Sequence, residues 1–231
     1  MNNNILNTVR NKLFSLQDEK YRSFHSKLCP GVNNIIGVRT PAIRKLVKEL
    51  LKDDYIKYIE IGNKDYYEEI MIEGLLIAES KLSFIEKEKY LDKFIPKINC
   101  WAITDICAAS FKLKKEELNY LWNYLQKYKK SDQEYCIRFM IVMWMDHFLT
   151  DDYIKHVLLE IDKIKSDAYY VNMAIAWLIS VSYIKYPTIT KDYLLNNNLD
   201  KWTYNKALQK IIESNRVSIE EKDKVRKMKL N

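Results

Sequence analysis

Four side chains of this 231-residue chain could do chemistry together: Trp101, Asp105, Arg138 and Trp177. Asp105 follows Trp101 by one helical turn, so on a helix the two project from one patch. Its neighbours are Ile103, Ile106, Cys107 and Ala108, and a carboxylate amid apolar residues is costly unless partnered. Arg138 faces the same problem with the opposite sign inside CIRFMIVMWM. One reading pairs Asp105 with Arg138 as a satisfied ion pair and makes the two indoles core fillers. The other makes the four a site: two indoles and a guanidinium contact a sugar-phosphate chain, and Asp105 faces a developing positive charge. The residues alone leave both readings open.

The elements that must position these side chains announce themselves by period. An aromatic residue recurs at Tyr67, Trp101, Tyr135, Tyr170 and Tyr204, with gaps of 34, 34, 35 and 34 residues. Each opens a run compatible with a long helix, and this period predicts stacked helical pairs, because one pair cannot bury its apolar face alone. Counting the aromatic as position 0, positions +5 and +8 are mostly apolar in every run, which predicts that they form the buried face. Positions 0, +3, +4 and +7 make a second stripe, whose composition changes from run to run and which carries all four candidates. In a stacked solenoid that stripe lines one concave surface. Capping patterns place helix starts at Thr40-Pro41 and at the pairs Ser83/Glu86, Ser131/Glu134 and Ser218/Glu221.

With only 4 Gly and 4 Pro there is little turn chemistry for hairpins, so the expected class is all-α. The expected architecture is one domain over residues 1–231, an α-α superhelix of about five to six antiparallel helix pairs with a concave groove, preceded by a helical segment over 2–28. Breaks are short and none reads as an interdomain linker. The net charge is +7, and residues 201–231 hold nine Lys/Arg against four acids, so this end alone contributes +5. A basic pole of this kind suits a phosphate backbone, or is simply a solvated terminus. Cys29, Cys100, Cys107 and Cys136 show neither a C-x-x-C pair nor His at zinc spacing, which predicts buried thiols, no metal and a reducing compartment. Without a signal-peptide pattern or a long apolar run, a cytoplasmic monomer with no membrane contact is expected.

The segments GVRTPAIRKLVKEL, NCWAITDIC, EYCIRFMIVMW, YYVNMAIAWLIS and NKALQKIIESNRVS resemble the AlkD-type DNA alkylation-repair glycosylases, which have a HEAT-like-repeat fold. The resemblance spans about residues 35–218. Its best motif is Trp-x-x-x-Asp, matched by Trp101 and Asp105; the family's groove Arg falls on Arg138 and its second groove Trp, in Ala-x-x-Trp, on Trp177. It implies excision of cationic N3- or N7-alkylated purines from double-stranded DNA without a cofactor. Asp105 would stabilise the oxocarbenium-like sugar and position water, Trp101 and Trp177 would pack on the deoxyribose, and Arg138 would hold a phosphate. The remaining DNA contacts would come from Tyr170, Tyr204, Lys206, Lys210 and Arg216. Two other functions compete: a non-catalytic relative that binds damaged or branched DNA, and a protein-binding repeat scaffold. The tetratricopeptide pattern is absent, which weighs against the scaffold.

Overall fold

The computed structural model describes residues 3–230, and all regular structure among them is helical. The first seven α-helices are α1 (Asn3–Ser15), α2 (Glu19–Leu28), α3 (Thr40–Leu50), α4 (Tyr55–Glu60), α5 (Tyr67–Glu79), α6 (Phe84–Phe94) and α7 (Trp101–Ala108). Seven more follow: α8 (Leu118–Leu125), α9 (Glu134–His147), α10 (Ile154–Asp162), α11 (Tyr169–Lys185), α12 (Pro187–Leu195), α13 (Lys201–Glu213) and α14 (Ile219–Arg226). They pack in neighbouring pairs, as in an α-solenoid. They gather into two compact units divided after Lys114. The expected N-terminal helical segment consists of two helices, α1 and α2; residue 2 lies outside the described residues.

In the first unit α5 is the centre, packed against α1, α3, α4, α6 and α7. It is buried on every side from Tyr67 to Ala78, as a run of such apolar content requires. Yet three of its buried residues are glutamates, each with no more than 1% of its surface exposed. Burial of a carboxylate demands partners, and each finds them in a different segment. Glu68 accepts the backbone N–H groups of Ile36, Gly37 and Val38 at 2.7–3.1 Å. Glu69 receives Arg10 of α1 at 2.7 Å and the amides of Asp65 and Tyr66. Glu73 pairs with the buried Lys64 at 3.0 Å and with Lys97 at 3.1 Å. The loop held by Glu68 needs Gly37, whose φ is +97° and whose missing Cβ would meet Arg22 Cβ at 2.5 Å.

In the second unit α9, α11 and α13 pack side by side in succession, with α12 against α11 and α14 against α13. Helix α9 is buried throughout Cys136–Met145. Ser218 caps α14, and Glu221 joins it to Tyr183 of α11 at 2.9 Å and to Lys191 of α12.

Several local expectations change. Ser83 and Glu86 form the expected capping box. Ser131 does not cap α9: its hydroxyl accepts the Gln133 amide, and Glu134 turns to the N–H of Tyr170 instead. Helix α3 begins at Thr40, with Arg39 as the capping residue, one residue earlier than expected. The +5/+8 face is buried in α5, α9 and α11 but not in α7 or α13. Helix α7 stops at Ala108, leaving Ala109 exposed, and α13 is turned so that Thr203, Tyr204, Ala207, Leu208 and Ile211 point inward.

Removing one partner of a buried ion pair strands the other. Glu73→Gln should therefore destabilise the protein by about 3–5 kcal/mol in urea unfolding, whereas the Glu73→Leu/Lys64→Met double variant should recover most of that loss. Equal stability of Glu73→Gln and wild type would contradict this account of α5.

Candidate functional site

Helix α7 carries the first two candidates. Pro96 lies in a 3-10 turn (Ile95–Lys97), Cys100 is extended, and the helix opens on Trp101. The Trp101 indole Nε1 donates to the carbonyl of Leu28 at 2.8 Å. That carbonyl belongs to the last residue of α2, where helical carbonyls lack intrahelical partners, so one bond satisfies the helix end and fixes the indole. Behind it the Cys100 thiol donates to Cys29 Sγ at 3.0 Å, and both thiols are buried. On the opposite side α7 presses on α5: Gly74 has no Cβ, and one placed there would meet Cys107 Sγ at 2.5 Å and Phe94 Cζ at 2.3 Å. Between these anchors Trp101 and Asp105 are both half-buried, while residues 102–104 and 107–108 are buried. An aromatic face and a carboxylate thus share one exposed edge of a helix whose backbone is held from both sides.

The other candidates lie in the second unit. Trp177 is half-buried and lines a cavity of about 360 Å³ together with Lys210, Arg216, Glu213 and Ser180. This cavity brings together three residues expected from the sequence. Lys210 is half-buried, and its ammonium is held below the ordinary lysine range, first by burial and then by repulsion from Lys206 and Arg138; Glu213 opposes the shift. Glu213, in the same cavity, offsets part of the repulsion among the three cations. Lys206 itself donates to Gln209 at 2.9 Å.

Arg138 departs from expectation. It is buried, with 4% of its surface exposed, and donates from Nη1 to the Tyr170 carbonyl at 2.8 Å. Its guanidinium carbon lies 5.9 Å from the Tyr170 ring centroid, and Glu134 accepts the Tyr170 N–H at 2.6 Å. Helix α9 therefore grips the first turn of α11 by both backbone groups of one residue, with the carboxylate on the positive end of the helix. Tyr170 is half-buried, and its ring lies 5.6 Å from that of Tyr135 at a tilt of 33°. Tyr204 is in the core, 6% exposed, and is corrected to a packing residue because α13 turns its ring inward. Sequence reasoning passed over Trp202, which is 41% exposed beside Lys201 and Lys206; the register had assigned the aromatic role in that run to Tyr204. The described residues contain no group of three or more His, Cys, Asp or Glu able to hold a metal ion, and no described helix is long and apolar enough to cross a membrane.

The sequence model of the DNA alkylation repair enzyme family matches residues 9–211. The chain belongs to that family. The match covers most of the chain, reaches both units and includes every candidate except Arg216. No curated protein sequence matches the chain.

Because Lys210 is charged against the preference of its surroundings, Lys210→Met should keep or raise the melting temperature while weakening DNA binding, since the stem packing survives and the repulsion goes. Its logarithmic salt slope for DNA should fall by about 1. A large loss of stability in this variant would contradict the reading of a crowded cation cluster.

Proposed function

We propose that this DNA alkylation repair protein is an alkylpurine DNA glycosylase, a hydrolase of the N-glycosidic bond of purines alkylated at N3 or N7. One observation carries the reading: Trp101 and Asp105, one turn apart, are together at the exposed edge of α7 in a chain that belongs to this family. Alkylation makes the base cationic, so it leaves with the bonding electron pair as a neutral molecule, and no general acid is needed. The sugar is left oxocarbenium-like at C1′. Asp105 offers that cation a carboxylate, and water adds at C1′ with loss of a proton, as in other glycoside hydrolyses. A unit charge pair 4 Å apart at an effective dielectric of 20 is worth about 4 kcal/mol. That corresponds to roughly a thousandfold in rate, a useful share once the leaving group is activated.

In this proposal residues 1–231 act as one domain on double-stranded DNA, as a monomer in the cytoplasm. Trp101 and Trp177, both half-buried, pack on deoxyribose and add cation–π stabilisation. Lys206, Lys210 and Arg216 bind phosphates, and Tyr170 packs beside them. Arg138 acts on phosphate through its field and through the placement of Tyr170, since its guanidinium is buried. No cofactor is required by this chemistry. The burial of Arg138 is also the observation that favours the second reading, a non-catalytic relative that holds damaged or branched DNA.

The test is release of 7-methylguanine or 3-methyladenine from methylated duplex DNA with enzyme in excess. The glycosylase reading predicts release of these cationic bases and none of a neutral purine such as hypoxanthine. No release above background, with the duplex still bound in a strongly salt-dependent way, would contradict catalysis and leave the binding reading. Neutralising Lys206, Lys210 and Arg216 together should reduce the logarithmic salt slope of binding by about 3.

A further inference from the structure

Trp202 is the largest exposed aromatic side chain of the second unit, and nothing in the glycosylase reading uses it. It stands in the first turn of α13, which Asp200 caps by accepting the Thr203 amide at 2.9 Å. The residue is 41% exposed, and Tyr169, 5.6 Å away by ring centroids, is 55% exposed. Tyr169 meets Tyr170 edge-on at 5.1 Å, and Tyr170 lies over Arg138. A continuous aromatic track therefore runs from Arg138 across the starts of α11 and α13 and ends at Trp202.

The two sides of the Trp202 ring differ in charge. On one side is a cavity of about 510 Å³ lined by Lys201, Asn205, Lys206, Gln209 and Lys229, with no carboxylate. Its wall is fixed, because Asn205 exchanges two hydrogen bonds with the backbone of Leu230 at 2.9 and 3.0 Å, and this sets Lys229 beside the ring. The Lys206 ammonium is 5.6 Å from the Trp202 ring centroid. On the other side the ring borders a cavity of about 370 Å³ that includes Tyr169 together with Asp167 and Asp200. An anion is accepted on the first side and repelled on the second.

We propose that Trp202 and the lysine-lined cavity beside it form a binding site for an unpaired nucleotide of a DNA strand, its base on the exposed ring of Trp202 and its phosphate among Lys201, Lys206 and Lys229. The indole selects unpaired bases, because bases inside a duplex already stack on one another and offer no face. Stacking on an aromatic platform next to a cationic groove is how single strands are held without sequence preference. The site is large enough for one nucleotide. It rests on DNA being the ligand of this protein, though not on base excision.

The test compares binding of two DNAs with equal numbers of phosphates, a blunt duplex and a shorter duplex with a single-stranded overhang. Wild type should prefer the overhang by about five- to a hundredfold, the range expected for one stacked base. Trp202→Ala should abolish that preference with blunt-duplex affinity and circular dichroism unchanged, and Trp202→Phe should retain most of it. Equal binding of the two DNAs by wild type overturns the proposal while leaving duplex recognition intact. So does a preference that survives Trp202→Ala, or an acidic peptide of equal charge that competes as well as the overhang strand. Failure of wild type to bind either DNA overturns the DNA reading itself.

Discussion

Helix α5 carries three carboxylates in a place where water cannot reach them, and the first unit is arranged around that constraint. A buried carboxylate left alone is far costlier than any single packing defect, so its partners are effectively obligatory. Glu68 orders the backbone of 36–38, Glu69 draws in Arg10 from α1, and Glu73 holds Lys64 and Lys97. One helix thereby fixes an N-terminal helix and three separate stretches of chain. Directly after Glu73, Gly74 opens the space into which α6 and α7 press. The edge that displays Trp101 and Asp105 inherits its position from this arrangement. Its second anchor, the indole bond to Leu28, comes from the end of α2.

The second unit spends its polar interactions differently. Glu134 and Arg138 secure the start of α11, and the aromatic rings of Tyr135 and Tyr170 close over that joint. Lys210 is less ready to be charged than an ordinary lysine because of burial and of its neighbours Lys206 and Arg138. Such crowding is tolerated where a bound anion repays it, the usual relation between a binding site and the stability of the fold around it.

The period of the recurring aromatics was enough to read the helical class and the succession of α9, α11 and α13, because stacking of equivalent helices is written in spacing. The second stripe reaches the surface only in part: Trp101, Asp105, Tyr135, Tyr170 and Trp177 are half-buried, whereas the equivalent residues of α5 and α13 are buried. Rotation of a helix about its axis is not written in spacing. That is why Tyr204 proved to be core, Trp202 took the exposed place, and the +5/+8 face failed in α7 and α13. The glutamates of α5 were equally illegible, since YEEIMIEGLLIA gives no hint that its acids face amides and amines brought in from distant segments. Arg138 was recognisable as a buried-charge problem, but its solution, the carbonyl of Tyr170, lies 32 residues away in sequence.

The central claim is that the Asp105 carboxylate does its work on the sugar cation and not on DNA affinity. The measurement that tests it is single-turnover release of 7-methylguanine by Asp105→Asn beside wild type, with the dissociation constant of each for the same duplex. The account predicts a loss of about a thousandfold or more in rate with affinity changed by less than about threefold. Wild-type rates in the Asn variant, or a rate loss matched by an equal loss of affinity, would contradict it.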